Sequence, residues 1–137
     1  MSGKVVLVAD DDEDDVLFLS QALGASCPGV TVKSAADGKQ AIDYLAGRGE
    51  YADRGTYPFP DHMFLDLKMP LVSGFEVLEW LRKQPEIGRL RVTVLSGSML
   101  ADDVARARSL GAEYIVKPID YQSLLAEMRE FCRRPLG

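Results

Sequence analysis

A chain of 137 residues, 47% hydrophobic and 27% charged, is one domain's worth of ordinary globular sequence and buries a core without staples. A net charge of -5 excludes recruitment to nucleic acid or anionic lipid by charge alone, and the short apolar run in Met1 to Val8 is too short for a signal peptide or a membrane span. Cys27 and Cys132 show neither metal-ligand spacing nor a disulfide framework, which suits a reducing cytoplasm.

The chain then alternates short apolar runs with longer amphipathic stretches. Val5-Val6-Leu7-Val8 is continuous and β-branched, as in a parallel strand buried on both faces. Asp14 to Leu23 places Val16, Leu19 and Leu23 on one helical face, with Gly24 as the expected stop. Val30 to Ala35 reads as a second strand. Ala41, Ile42 and Leu45 mark a second helix, ended by Gly47 and Gly49. Arg48 to Asp61 is the one long irregular piece, expected to be a surface loop, with a partner surface as the alternative. Met63-Phe64-Leu65 reads as a third strand; Phe75, Leu78 and Leu81 mark a third helix, closed by Pro85. Val92-Thr93-Val94-Leu95 is a fourth strand, and Val104, Ala107 and Leu110 give a fourth helix, closed by Gly111. Tyr114-Ile115-Val116 is a fifth strand, and Leu124, Leu125, Met128, Phe131 and Cys132 a fifth helix. The alternation predicts an α/β fold: a doubly wound five-stranded parallel sheet with five helices, in a single domain covering 1–137.

In such sheets ligands bind beyond the carboxyl ends of the strands. Asp10, Asp11 and Asp12 follow the first apolar run, Asp66 the third, Ser96 the fourth and Lys117 the fifth. The fold therefore delivers carboxylates, a hydroxyl and an ammonium to one edge. Clustered carboxylates repel and raise one another's pKa unless a cation joins them. Mg²⁺ suits carboxylate and carbonyl oxygens and neutralises charge on a transferred phosphoryl group. Asp66 is the expected nucleophile, Ser96 a hydrogen-bond donor to a phosphoryl oxygen and Lys117 a point charge.

Five stretches carry a family resemblance: Val5-Val6-Leu7-Val8-Ala9-Asp10-Asp11-Asp12, Leu65-Asp66-Leu67-Lys68-Met69-Pro70, Gly74-Phe75-Glu76-Val77-Leu78, Val94-Leu95-Ser96-Gly97 and Gly111-Ala112-Glu113-Tyr114-Ile115-Val116-Lys117-Pro118. In this order and spacing, over nearly the whole chain, the sequence resembles the receiver domains of two-component response regulators. Its long loop before the third strand is similar to that of single-domain regulators associated with bacterial phytochrome kinases. The resemblance implies a flavodoxin-like (CheY-like) strand order 2-1-3-4-5. It implies Asp66 as phosphoacceptor, and Asp10, Asp11, Asp66 and the Lys68 backbone carbonyl as ligands of Mg²⁺. A competing register pairs Ala9 with Asp10 and loses one acid; placing Asp15, Gln21, Ala22 and Leu23 on the family's first helix favours Asp10 with Asp11. Ser96 and Lys117 take the family's hydroxyl and lysine positions, Gly97 the small position beside the hydroxyl, and Tyr114 the aromatic switch position. The Lys117–Pro118 bond is implied to be cis.

Further implications are a cytoplasmic phosphoacceptor, not an enzyme acting on other substrates, that catalyses its own phosphorylation and dephosphorylation. A sensor histidine kinase, with a phytochrome as one candidate, is the donor. Its expected partners are a downstream protein or a histidine phosphotransferase, with no nucleic acid, no membrane and no output domain. A switching surface of helix four, strand five and helix five is expected to respond, with Tyr121, Leu125 and Phe131 offering a homodimer face. Lys68 and Ser98 flank the path of an attacking water, and Lys68 is expected to shield the phosphoryl group.

Other readings of these residues are weaker. Glu13 and Asp14 suit a helix N-terminus through the dipole. Asp10, Asp12 and Asp14 imitate a calcium loop, but Asp15 and Gln21 stand where Gly and Glu are required. Gly47 to Ala52 spells a dinucleotide fingerprint after a helix instead of a strand. Ser96 lacks a nucleophile-elbow setting, and His62, the single histidine, reads as a surface or strand-edge residue. Trp80 reads as packing. A receiver fold without chemistry is disfavoured by the intact set of Asp11, Asp66, Ser96 and Lys117. A small-molecule phosphohydrolase is disfavoured by Lys68 where such enzymes carry a second acid.

Overall fold

The computed structural model describes residues 3–134. Five strands, β1 (Val5–Ala9), β2 (Thr31–Ala35), β3 (His62–Leu65), β4 (Arg91–Ser96) and β5 (Glu113–Val116), form one parallel sheet in the order β2-β1-β3-β4-β5. Helices α1 (Glu13–Ser26), α2 (Gly38–Ala46), α3 (Gly74–Arg82), α4 (Ala101–Ser109) and α5 (Tyr121–Arg133) connect and follow them. This is the expected architecture and strand order.

Side chains alternate across a strand, so each buried strand feeds two cores. Val6 and Val8 of β1 and Phe64 of β3 pack with Leu19, Leu23, Met128 and Phe131 beneath α1 and α5. Leu7, Ala9, Met63 and Leu65 pack on the other face with Leu45, Val77, Leu78 and Ala107 of α2, α3 and α4. The unbroken apolar runs in β1 and β3 follow from that double burial.

The helix ends are set locally. Asp12 caps α1 by accepting from the Asp14 and Asp15 amides, and Ser73 with Glu76 closes a capping box on α3. Gly47 ends α2 in the left-handed region at φ 71°. That glycine therefore terminates a helix instead of opening one. Gly24 does not stop α1: the helix runs on to Ser26, because the glycine sits on an exposed surface where nothing approaches it.

Residues 48–61 hold a short 3₁₀ turn, Gly49–Ala52, and fold back onto α2. Arg54 Nη1 donates to the Tyr44 and Tyr57 carbonyls and Nη2 to that of Leu45, so one guanidinium satisfies the open end of α2. Tyr51, Tyr57 and Phe59 pack against the α2–α3 core, as does half-buried Trp80. The segment is a packed loop.

Three further expectations need correction. His62 is 2% exposed: it shares the β3 face of Phe64, two residues on, and stacks under α5 against Phe64 and Phe131. Phe131, expected on an outward dimer face, is 4% exposed, and Tyr121 and Leu125 pack on the same core, because α5 lies against α1 and spends its apolar face there. Cys27 and Cys132 are joined in a disulfide. They lie 105 residues apart in sequence, but the ends of α1 and α5 bring their Cα atoms to 5.5 Å. Spacing rules detect local clusters and miss such a pair.

Candidate functional site

Each strand of the sheet ends in a short loop at its carboxyl edge, and the polar groups collect there. The Asp66 amide donates to the Ala9 carbonyl, which fixes the end of β3 beside that of β1. Gly74 opens α3 directly against the Asp66 carbonyl, where a Cβ would collide. This close approach is the reason glycine is needed at that position. Asp66 is 8% exposed and Asp10 is 7% exposed, while Asp11 stands out in solvent. Oxygens of Asp10, Asp11 and Asp66 lie within 4.8 Å of one another.

The local bonds hold these carboxylates in place. Asp10 Oδ1 accepts from the Asp12 amide at 2.9 Å, and Asp66 Oδ1 accepts from the Leu67 amide at 2.8 Å. Burial raises the Asp10 pKa; the bonds from Asp12 and Lys117 oppose that rise. A divalent cation would relieve both the burial of charge and the mutual repulsion, so the donor set fits a hard, oxygen-seeking metal.

Lys117 projects into the same cluster. Its Nζ lies 2.7 Å from Asp15 Oδ2, 3.0 Å from Asp10 Oδ2 and 3.4 Å from Asp66 Oδ2. Burial alone would lower the lysine pKa, but the bonds to Asp15 and Asp10 and the charge of Asp66 outweigh it and raise the pKa. The ammonium is therefore fixed as a cation throughout the physiological range. The Lys117–Pro118 bond, implied to be cis, is not: no peptide bond among the described residues is cis. The trans form is the ordinary preference even before proline, and Lys117 reaches the carboxylates from it, with its amide donating to the Ser96 carbonyl at 2.8 Å.

Ser96 is 1% exposed at the end of β4, and its Oγ accepts from the Ser98 amide. Gly97 beside it is exposed with no neighbour where a Cβ would stand. Tyr114 is half-buried against the α3–α4 core, and its hydroxyl donates to the Ser98 carbonyl at 2.8 Å. Ser98 also donates to Asp103 at 2.6 Å, linking the β4–α4 loop to α4. Lys68 is exposed two residues beyond Asp66. Along the Lys117 flank lies a cleft of about 340 Å³, walled by Phe18, Leu19, Leu95, Ile119 and Leu124 and reaching Asp10, Asp15 and Lys117.

Asp15 was not among the site residues expected from sequence; it served there only to set the register of the first helix and to rule out a calcium loop. It hid in a run of six acids, and its one available signal was position: four residues after Asp11, one helical turn, which returns a side chain toward the sheet edge.

Comparison with known proteins agrees with this geometry. The response regulator receiver domain family matches residues 6–129. A probable cyclic di-GMP phosphodiesterase of Vibrio cholerae is 32% identical over 120 residues, 87% of this chain, and the chain spans 24% of that longer protein. Response regulator Rcp1 of Synechocystis is 30% identical over 122 residues, covering 88% of this chain and 81% of Rcp1; its Mn²⁺-bound crystal structure superposes with a TM-score of 0.83 at 29% identity, over 93% of this chain and 91% of that one. The crystal structure of the phosphorylated cyanobacterial phytochrome response regulator RcpA superposes with a TM-score of 0.87 at 30% identity, over 95% of this chain and 91% of that one. Matched from the second residue of β1 into α5, and folded in the same strand order around an acidic edge, this chain belongs to the response regulator receiver domain family of two-component systems.

Proposed function

We propose that the chain is a phosphorylated switch that takes a phosphoryl group from a sensor histidine kinase onto Asp66, with Mg²⁺ as the resident cation. The observation that carries this reading is the meeting of Asp10, Asp11 and Asp66 oxygens within 4.8 Å, with the Lys117 ammonium 3.4 Å from Asp66. Asp10, Asp11, Asp66 and the Lys68 carbonyl would hold the cation. When bound, it offsets negative charge on the phosphoryl oxygens.

The chain's own groups do the rest. An Asp66 carboxylate oxygen attacks the phosphorus of a phosphohistidine: the O–P bond forms, the P–N bond breaks, and the electron pair leaves with the donor imidazole. Lys117 turns an N–H from Asp66 to a phosphoryl oxygen, and Ser96 donates its hydroxyl to another. Asp66 is held for in-line approach by the Ala9 carbonyl and the close start of α3. Ser96, Ser98 and Tyr114 form one chain of bonds from the site to the β4–α4 loop. Movement of Ser96 toward the phosphoryl group would therefore pull on α4 and β5.

The likeness to RcpA, a phytochrome response regulator, supports a phytochrome kinase as the donor. A kinase donor that draws on ATP supports a cytoplasmic exchange, whereas the Cys27–Cys132 disulfide removes the support that cysteine spacing gave to a reducing compartment; no helix among the described residues is long and apolar enough to cross a membrane. Output runs through contact with a downstream protein or onward transfer to a histidine phosphotransferase. A homodimer through α4, β5 and α5 would use faces other than buried Phe131.

Labelling with acetyl phosphate, with and without Mg²⁺, tests the reading. Wild type should gain one acid-stable, base-labile adduct that requires Mg²⁺, and Asp66→Asn should gain none. Asp11→Ala should weaken Mg²⁺ binding sharply. An Asp66→Asn protein that labels like wild type would remove Asp66 as acceptor, and steady release of phosphate with no adduct would indicate a hydrolase instead.

A further inference from the structure

We infer that Asp15 is a positioning residue for Lys117: it holds the ammonium beside Asp66 when the metal has taken the lysine's other partners. The inference rests on the phosphoryl-accepting role proposed for Asp66.

A lysine ammonium has three N–H donors. Lys117 meets three carboxylates, and the shortest contact, 2.7 Å, is to Asp15 rather than to Asp10 at 3.0 Å or Asp66 at 3.4 Å. The three partners differ in kind. Asp10 and Asp66 belong to the metal-capable cluster, and Asp15 does not. A divalent cation drawn to that cluster shares the charge of Asp10 and Asp66 and weakens their pull on Lys117. Asp15 lies outside that cluster, so a cation bound there does not compete with Lys117 for it.

Asp15 also sits where an anchor is needed. Lys117 ends a flexible four-carbon stem that is otherwise free to swing. It stands against a cleft that offers space for such a swing; the walls are mostly apolar, from Phe18, Leu19, Leu95, Ile119 and Leu124, with Asp120 and Tyr121 also on the lining, and neither of these bonds Lys117, whose ion pairs are to Asp10, Asp15 and Asp66. Asp15 is itself fixed in the first turn of α1, where its amide donates to the Asp12 cap. With one N–H on Asp15, Lys117 can turn a second from Asp66 to a phosphoryl oxygen without relocating. The side chain of Asp15 is 41% exposed, so it is not part of the core, and its replacement is expected to leave the fold intact.

The test compares wild type with Asp15→Ala, Asp15→Asn and Asp15→Glu in three measurements: acetyl phosphate labelling rate, Mg²⁺ affinity, and the ¹⁵Nζ resonance of Lys117 in Mg²⁺-loaded protein. Asp15→Ala should label about fivefold more slowly, equivalent to about 1 kcal/mol. It should keep wild-type Mg²⁺ affinity and lose the ordered Lys117 signal. Asp15→Glu should recover much of the rate, and Asp15→Asn should fall between, since it keeps an acceptor and loses the charge. Equal labelling by Asp15→Ala and wild type would overturn the inference. So would a parallel loss of Mg²⁺ affinity, which would make Asp15 part of the metal site, or an unchanged Lys117 resonance. A wild-type protein that does not label at Asp66 would instead refute the proposed function itself.

Discussion

His62 makes stability depend on pH in a window where few other groups titrate. Its ring is 2% exposed between Phe64 and Phe131, with Nε2 2.8 Å from Thr93 Oγ1 and Nδ1 without a partner. A second proton would create a buried cation with an N–H facing no acceptor. Burial, with the charges of Arg91 and Arg134 behind it, lowers the pKa from 6.5 to about 4. The folded value lies below the unfolded one, so the unfolded chain takes up the extra proton first. The contribution to stability is complete above 6.5 and is lost as pH falls toward 4. Between pH 7 and pH 5 the loss is roughly 2 kcal/mol. Asp43, Asp53 and Asp120 are shifted below the usual carboxylate value and lose their contributions at more acid pH, outside this interval. The assay is urea denaturation of wild type and His62→Gln at both pH values, with both proteins oxidised. His62→Gln loses ring contacts and is less stable throughout, but it cannot take up the proton. Wild type should therefore lose about 2 kcal/mol more than the variant on going to pH 5. Equal losses in the two proteins would refute the buried-neutral account of His62.

Three further outcomes follow from other contacts. Lys68→Asn should speed loss of the Asp66 phosphoryl group by roughly tenfold, read from decay of labelled protein after donor removal; an exposed ion pair supplies only about 0–1 kcal/mol, so steric exclusion of water must supply the rest. Arg82 donates to the carbonyls of Gly88, Leu90, Leu110 and Gly111, so Arg82→Met should cost about 2–4 kcal/mol in denaturant unfolding by leaving several acceptors without a donor. Reduction of Cys27–Cys132 frees a link across 105 residues and should cost about 2–4 kcal/mol, while Cys132→Ser should show no response to reductant.

The fold was legible because the central strands, buried on both faces, must be continuously apolar, and the more mixed runs of the edge strands β2 and β5 stand at matching spacing beside them. The site was legible for the same reason: once the runs are strands, the polar residues that follow them share one edge. Two of the misses share one physical origin, which is contact between elements remote in sequence. Cys27 meets Cys132 because α1 packs on α5. Phe131 is buried by that same packing. His62 looked like an edge residue because a lone polar side chain at a strand start ordinarily faces water. The period of two from Phe64 was a usable signal that it points into the α5 core. The Lys117–Pro118 bond has no local determinant strong enough to fix its isomer, since trans is favoured over cis by only about 0.5–1 kcal/mol.

The run from Asp10 to Asp15 shows how one stretch of like charge is divided by backbone geometry. Asp10 follows directly after β1 and stays buried, and that burial raises its pKa. Asp11, next in line, points an oxygen into the same cluster from solvent. Asp12 turns back to cap α1 and takes the amides of Asp14 and Asp15. Glu13 and Asp14 remain exposed in the first turn, where the helix dipole favours them. Asp15 completes that turn and comes round over the sheet edge to Lys117. A composition count sees six equivalent acids, but the strand-to-helix transition gives them five separate environments. Moving the helix start by one residue would take Asp15 away from Lys117 without altering the net charge. The register of α1 on β1, rather than the number of acids, therefore sets how the ammonium is held beside Asp66.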